Sequence, residues 1–397
     1  MLYGQIAVKS LHFINKEDKK VSFRFKFVNN LIIIPVIVND SDTLHFILDS
    51  GINTSIITEL SLGDSLSLNY VRQIKLHGLG SGESIDALVS SGNVFSIPGI
   101  QGTNQSLYIM LQNIFNLSSI LGMRVHGLTG YNLFSNFIVE INYVRQVITL
   151  HNPDYYVYKH NRNARTLPLI INNSKPFIYG DIRYQGGDFF PVKLMIDTGA
   201  SHALWLLKGT DGRIKLPEKN IDTFLGTGLN GKISGKLARI VSFRLGSFTF
   251  ENPLVAFPDT FSIRYTGALG NRNGSLGAEI LRRFDVIMDY PNHLITLKPN
   301  RYYNEPFRLN RSGIEIIAPI PGFHYYTISD VRKGSPAGKA GLKKGDTLES
   351  INYRNVKHMD IDEIYRVLQE KPGKVIKMVV RRKGLPFVTY FRLEKLI

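Results

Sequence analysis

The sequence predicts a mainly β protein with two homologous halves and a smaller C-terminal domain, and three observations support this fold class. Short strands that alternate apolar and polar residues dominate residues 20–300, as in residues 21–27. An Asp-Ser/Thr-Gly turn follows an apolar run twice, at residues 49–51 and 197–199. Beyond residue 304 the pattern changes to one with helix-capping signals.

The composition indicates a globular protein with enough apolar residues for a core. The chain has 397 residues, of which 43% are hydrophobic and 20% charged, and this length suits two or three domains. It contains no cysteine, which excludes a cysteine nucleophile, disulfides and thiolate metal sites. The longest apolar run, residues 31–38, is interrupted by Pro35 and is far too short for a membrane span. We therefore expect no transmembrane segment.

The net charge of +16 suits either an anionic partner or a solvated basic surface, and the solvated surface is the simpler interpretation. No nucleic-acid-binding signature accompanies the basic residues, so we expect no nucleic-acid partner. The segment 1–5 is shorter than a signal peptide. Both an exported protein with its true start further upstream and a cytoplasmic protein fit this sequence.

The two halves repeat their landmarks in the same order. Asp49 and Asp197 are 148 residues apart, and the glycine-rich segments at residues 78–83 and 226–231 have the same spacing. The second of these segments fits a dinucleotide-binding pattern, but the residues after it alternate as in a strand, whereas that motif opens a helix. A pair of hairpin flaps explains both segments, because glycine permits the backbone range that a mobile hairpin tip needs.

A later glycine-containing segment completes the repeat. Residues 127–133 correspond to residues 274–280 at a spacing of 147 residues, and each half then closes with two alternating strands. We expect short helices directly after Gly130 and Gly277. A repeat of this length indicates two lobes related by a pseudo-twofold axis, with a site between them.

The paired carboxylates are the functional signal of this repeat. One Asp-Ser-Gly tripeptide alone is an ordinary turn, whereas two at equivalent positions of two lobes bring two carboxylates face to face. Two close carboxylates cannot both ionise easily, so they share a proton and act as acid and base in peptide hydrolysis. The sequence therefore predicts Asp49 and Asp197 as catalytic residues.

Over about residues 28–302 the chain resembles the retropepsin-like aspartic peptidases, as two retropepsin subunits joined in one chain. The resemblance implies two pseudo-symmetric β-barrel lobes, an aspartic endopeptidase activity on protein or peptide substrates, and no cofactor or metal. Because both Asp residues lie in one chain, we expect a monomer. Thr129 and Ser275 are more polar than the family pattern prefers.

The same resemblance assigns supporting roles in each lobe. The residues that follow the two Asp residues would support the active site, with hydrogen bonds across the two loops: Ser50, Gly51, Thr198 and Gly199. The flaps that close over the substrate would include Gly80, Gly82, Gly228 and Gly231. His202 lies near the second Asp loop, where a structural role is expected over contact with substrate.

The C-terminal stretch resembles a bacterial-type PDZ domain. Ser335 stands at an N-cap position before Pro336, and Asp360 with Glu363 has the spacing of a capping box that opens a second helix. By this resemblance, one loop offers backbone N–H groups to a peptide C-terminus, and a strand and helix form a groove for strand addition. That loop consists of Ser312, Gly313 and Ile314.

We therefore expect an N-terminal segment, two protease lobes and a PDZ domain, at residues 1–27, 28–158, 159–303 and 304–397. The expected function is peptide-bond hydrolysis by the Asp49/Asp197 pair, with the PDZ domain binding peptide or protein C-termini. Two alternatives stay open from the sequence. One is a non-catalytic peptide-binding protein with a pseudo-protease fold and a functional PDZ module, and the other is a scaffold in which only the PDZ-like part functions.

Overall fold

A computed structural model describes residues 11–60, 66–76, 85–228, 231–259 and 271–397. The chain divides into two compact units. The first is drawn from Met1–Phe115, His126–Pro217 and Phe224–Glu305, and the second from Asn116–Val125, Glu218–Thr223 and Pro306–Ile397. Within the described ranges, the structure has no helix with the length and apolar character of a membrane span.

The first half of the chain is built from short strands with two small helices. The alternation predicted for residues 21–27 forms two strands, separated by the buried Phe25. The elements are β1 (His12–Phe13), β2 (Lys20–Arg24), β3 (Lys26–Val28), β4 (Leu31–Val38), β5 (Leu44–Leu48), β6 (Ser55–Ile57), β7 (Arg72–Leu76), β8 (Ile85–Ile97), β9 (Ile100–Met110), α1 (Leu117–Leu121), β10 (Gly127–Thr129), α2 (Tyr131–Asn136), β11 (Ile138–Asn142) and β12 (Val147–His151). A turn of 3₁₀-helix follows at Pro153–Tyr155.

The second half repeats this pattern. Its elements are β13 (Arg165–Pro168), β14 (Ile170–Asn172), β15 (Lys175–Arg183), β16 (Phe190–Asp197), β17 (Leu204–Leu206), β18 (Asn220–Gly228), β19 (Gly231–Arg239), β20 (Ser242–Leu245), β21 (Phe248–Glu251), β22 (Leu254–Pro258), β23 (Gly274–Gly277), α3 (Ala278–Leu281), β24 (Phe284–Asp289) and β25 (Leu294–Pro299). The short helices expected after Gly130 and Gly277 are confirmed as α2 and α3.

The strand order confirms that the two halves are equivalent. The first sheet contains the order β9-β6-β10-β5-β4, and the other contains β22-β17-β23-β16-β15. In both, the strand that leads to the Asp is parallel to the later glycine-containing strand, β5 with β10 and β16 with β23. Both sheets bury aliphatic and aromatic side chains in their cores. The predicted pair of pseudo-symmetric β lobes is therefore confirmed.

A third sheet joins the two lobes. Its order is β13-β25-β24-β11-β12-β2, and the central contact is the antiparallel pairing of β11 from the first lobe with β24 from the second. The alternating strands that close each half of the sequence are the ones that pair here, because each presents one apolar face to the core. This sheet keeps the two Asp loops on one continuous body.

The second unit contains the domain that follows the lobes. Its elements are β26 (Ile314–Ile317), β27 (Thr327–Val331), α4 (Pro336–Lys339), β28 (Thr347–Ile351), β29 (Arg354–Asn355), a 3₁₀ turn (Val356–His358), α5 (Ile361–Leu368), β30 (Val375–Arg382) and β31 (Leu385–Arg392). The Ser335 N-cap is confirmed, since its side chain accepts the Gly338 N–H, and α5 begins with the expected capping box. Its strand order is β26-β27-β28-β30-β31, with β29 paired to β28.

Candidate active site

The two Asp residues occupy equivalent positions at the ends of buried strands. Asp49 directly follows β5, and its backbone N–H donates to the Thr129 carbonyl oxygen at 2.8 Å. Asp197 is the last residue of β16 and lies opposite Gly277 in the parallel pairing. A Cβ on Gly130 would collide with the Asp49 carbonyl oxygen, so this position requires glycine. Each Asp is thus supported from below by the glycine-containing strand of its own lobe.

The loops of the two lobes are joined by reciprocal hydrogen bonds. The Thr198 hydroxyl donates to the Leu48 carbonyl oxygen at 2.6 Å and accepts the Ser50 N–H at 2.9 Å. The Ser50 hydroxyl donates to the Ile196 carbonyl oxygen at 2.8 Å and accepts the Thr198 N–H at 3.1 Å. Both hydroxyl side chains are fully buried. The arrangement holds two backbone loops in a fixed relation, because every bond has its twofold counterpart.

Glycine at the third position of each loop lets the carboxylates approach. A Cβ on Gly199 would collide with the Asp49 carboxyl group, so the Asp49 side chain packs directly on the opposite loop. A Cβ on Gly51 would lie 3.1 Å from Asp49 Oδ1 and 4.0 Å from Asp197 Oδ1. The Gly51 N–H donates to Asp49 Oδ1 at 2.7 Å. The structure therefore brings the two predicted carboxylates, with their supporting residues, to one place.

The electrostatics of the pair match this proximity. Burial, followed by the negative charge of Asp197, raises the pKa of Asp49 to about 7. Burial also raises the pKa of Asp197, against the opposing effect of the Arg272 guanidinium and the Gly199 N–H. Because the charge of Asp197 disfavours ionisation of Asp49, the two carboxylates titrate as a pair and not as independent groups.

Two cations near this pair were not singled out from the sequence. Lys175 and Arg272 both lower the pKa of Asp197, and Lys175 also lowers that of Asp49. Nη1 of Arg272 lies 2.6 Å from Met195 Sδ, two residues before Asp197. The sequence signal was weak, because a single Lys or Arg in a strand pattern does not reveal which face it occupies until the strand register is known.

The polar departures from the family pattern have partners in the structure. The Thr129 hydroxyl is 2.7 Å from the Ser55 hydroxyl, and Ser275 Oγ is 3.1 Å from His202 Nε2. The His202 ring stacks on Trp205 with a centroid distance of 4.9 Å, and burial lowers its pKa to about 3. This contact set fits the structural role expected for His202, in which a neutral imidazole supports β23.

The flap predictions are only partly covered by the structure. Gly228 ends β18 and Gly231 begins β19, and these two strands are neighbours in the sheet of the second lobe. This is the hairpin arrangement expected of a flap. Gly80 and Gly82 lie outside the described residues. Closure over a substrate stays a prediction for both lobes.

The predicted PDZ loop precedes the edge strand β26. Gly313 has a φ of +82°, a conformation that favours glycine, and its carbonyl oxygen accepts the Arg332 N–H at 2.7 Å. The Ser312 N–H donates to Asn310 Oδ1 at 3.1 Å, and the Ile314 N–H donates to Ser312 Oγ at 3.3 Å. Two of the three N–H groups expected to bind a carboxylate therefore have partners within the loop.

The groove side of β26 is also occupied by groups of the same unit. The Ile316 N–H donates to the Tyr365 hydroxyl at 3.0 Å, and that hydroxyl donates to Glu315 Oε2 at 3.0 Å. One step further along, the Ala318 N–H donates to the Ser119 carbonyl oxygen at 2.8 Å. Tyr365 belongs to α5, so its hydroxyl spans the gap between helix and strand. Sequence reasoning identified the helix and strand but missed this closure.

Comparisons with known proteins agree with the fold of both units. Residues 182–280 match the family model described as an aspartyl protease, and residues 327–382 match the one described as a PDZ domain. These ranges cover the second Asp loop with its β23 support, and most of the C-terminal sheet with α4 and α5.

Two individual proteins are similar to the chain. The carboxy-terminal processing protease CtpA of Bacillus subtilis (strain 168) is 38% identical over 53 residues, which are 13% of this chain and 11% of that protein. The crystal structure of an aspartic proteinase from Irpex lacteus covers 72% of this chain and 99% of its own, with 13% identity and a TM-score of 0.44. The family matches therefore identify an aspartyl protease domain in the second lobe and a PDZ domain at the C-terminus, and the equivalent strand order gives the first lobe the same fold as the second.

Proposed function

We propose that the protein is an aspartic endopeptidase whose catalytic residues are Asp49 and Asp197. The observation that carries this proposal is the convergence of two equivalent carboxylates on loops joined by four cross-lobe hydrogen bonds. Two buried carboxylates repel each other and lose hydration, so this arrangement lowers the stability of the fold and a purely structural role does not account for it. A raised pKa with a charge partner in one site is typical of acid–base catalysis.

The proposed mechanism uses one proton shared by the pair. The ionised carboxylate accepts a proton from a water molecule as that water attacks the peptide carbonyl carbon. The protonated carboxyl donates a hydrogen bond to the carbonyl oxygen, where negative charge develops, and a proton then passes to the leaving amine. The products are a carboxylic acid and an amine, and no covalent enzyme intermediate forms. Ser50 and Thr198 hold the two carboxylates in position through their hydrogen bonds to the backbone of the loops.

The pH dependence of hydrolysis tests this mechanism. The pair must keep one proton, and Asp49 has a pKa raised to about 7. We therefore expect kcat/KM on an uncharged peptide to fall as the pH rises through about 7, because the shared proton is then lost. It should also fall in acid, where the second carboxylate is protonated. A profile that stays flat from about pH 6 to about pH 9 would contradict the shared proton.

For the second unit, we propose that the groove between β26 and α5 binds peptide C-termini. A peptide strand added to β26 would offer carbonyl oxygens to the edge N–H groups and its carboxylate to the loop at Ser312, Gly313 and Ile314. Because the Tyr365 hydroxyl already accepts the Ile316 N–H, peptide binding must displace that bond. The groove is therefore proposed to open on binding.

Removal of the Tyr365 hydroxyl tests this displacement. In the full chain, Tyr365→Phe should bind a peptide with a free C-terminus roughly fivefold more tightly than wild type, because one competing hydrogen bond of about 1 kcal/mol is gone. Tyr390→Phe, at an exposed position of β31, is the matched control and should have no effect. Fluorescence polarisation with the free peptide and its C-terminal amide measures both affinities. Equal affinity of Tyr365→Phe and wild type would contradict the displacement.

A further inference from the structure

We propose that Lys175 and Arg272 form a cationic subsite that selects substrates with an Asp or Glu side chain near the scissile bond, on the side of the second lobe. The inference rests on the proposed peptidase function and adds a substrate class to it. Three observations support it. The two cations occur in one lobe only, they have no anionic hydrogen-bond partner, and they lie beside the catalytic pair.

The two cations break the pseudo-twofold symmetry of the lobes. The register of β4 on β5 and of β15 on β16 places Lys175 at the position of Leu31. The register of β10 on β5 and of β23 on β16 places Arg272 at the position of Val125. Leu31 and Val125 are buried aliphatic residues. The fold therefore accepts apolar residues at both positions, and only the second lobe has charged residues there.

The Arg272 guanidinium lacks a strong acceptor. Its Nη1 contacts the sulfur of Met195, which is a weak acceptor, and its buried Nε has no hydrogen-bond partner among the described residues. Burial lowers the pKa of Arg272, and the charge of Asp197 offsets only part of this cost. The guanidinium presents a planar fork that suits a carboxylate in a bidentate geometry.

Both cations lie close to the reacting groups. Arg272 contacts the sulfur of Met195. The methyl group of the same Met195 lies next to Gly51 in the opposite loop, since a Cβ on that glycine would be 3.3 Å from it. Lys175 begins β15 and has no hydrogen-bonded or ion-pair partner for its ammonium group in the part of the chain that the structure describes. Burial, followed by the positive charge of Arg272, lowers the pKa of Lys175, and the negative charges of Asp49 and Asp197 oppose this effect. A substrate carboxylate entering this region meets two cations that have no anionic hydrogen-bond partner.

Paired peptides in the full-length protein test the subsite. Each pair differs only by Glu or Gln, placed in turn at each of the positions around the scissile bond. We expect kcat/KM to be about tenfold higher for the Glu peptide at one or two positions on one side, the scale of a charge-assisted hydrogen bond. The difference should lie mainly in KM, since the contact forms when the substrate binds.

Variants separate substrate recognition from an electrostatic effect on the catalytic pair. Arg272→Gln and Lys175→Gln should each lower the Glu-to-Gln ratio toward one, while Arg272→Lys keeps part of the preference. Lys215→Gln removes the same charge from an exposed position of the same lobe and should leave the ratio unchanged. If Arg272→Gln slows both peptides of a pair equally, the cations act only on the Asp pair and the subsite is wrong.

A binding measurement keeps this inference distinct from the proposed catalysis. If wild type cleaves peptides without any preference for Glu, the subsite fails and the peptidase assignment stands. If no peptide is cleaved, fluorescence polarisation of the same pairs on the full-length Asp49→Asn chain decides the subsite alone. Tighter binding of the Glu peptide that is lost on adding Arg272→Gln supports it, and equal binding of both peptides overturns it.

Discussion

Replacing Asp49 or Asp197 with Asn in the full chain is expected to lower kcat for peptide hydrolysis by roughly a thousandfold or more. Both carboxylates act on one water molecule and one carbonyl group, so the loss of either removes the acid–base function of the pair. Asn keeps the size and the hydrogen-bond acceptor at each position. The rate of cleavage of an internally quenched peptide, measured for each variant beside wild type, gives the effect.

The folded state of these variants is the necessary control. The pKa of Asp49 is raised in the folded state to about 7 from an ordinary value of 3.8, so this carboxylate lowers the free energy of unfolding as the pH rises between these values. Asn carries no charge and does not lower the free energy of unfolding in this way. We therefore expect the melting temperature of Asp49→Asn above neutral pH to equal or exceed that of wild type. The exposed Asp188→Asn should retain full activity. Near-wild-type activity in either Asp variant would show that the pair is not catalytic.

The second large effect concerns the hydrogen bonds between the loops. Thr198→Val should lower the free energy of unfolding by about 2–4 kcal/mol, because valine has the same shape but leaves the Ser50 N–H and the Leu48 carbonyl oxygen buried without a partner. Ser50→Ala should have a comparable effect through Ile196. Urea unfolding monitored by intrinsic fluorescence measures both, and the double variant should lose less than the two single losses together, because the bonds form one network.

A surface threonine provides the matched comparison. Thr166 and Thr296 share a hydrogen bond of 2.8 Å between exposed hydroxyl groups of β13 and β25. Water replaces this bond when it is lost, so Thr166→Val should change the free energy of unfolding by no more than about 0.5 kcal/mol. If Thr198→Val is as mild as Thr166→Val, the buried bonds do not hold the loops together as described.

The lobes and the Asp pair were predictable because their signals are local and repeated. Each Asp loop follows a run of apolar residues that can only be a buried strand, and the same order of landmarks recurs in the second half. The helix caps at Ser335 and Asp360 were predictable for a similar reason, since a cap is specified within four residues.

The features that escaped prediction depend on contacts between distant parts of the chain. The positions of Lys175 and Arg272 beside the Asp pair follow from strand registers that no single segment specifies. The Tyr365 hydroxyl contacts β26 only because α5 packs against that strand, and no local sequence pattern specifies this packing. The inclusion of 116–125 in the second unit likewise has no local signal.

The most direct test of the central claim is the cleavage of an unfolded protein substrate by the full-length wild-type chain, with new N-termini identified by mass spectrometry. We expect internal cleavage at acidic pH, below about pH 7, where the pair keeps its shared proton, and none by the Asp49→Asn or Asp197→Asn chains. An intact substrate throughout this range, with a folded wild-type protein, would contradict it. So would an equal pattern of new N-termini in the Asn variants.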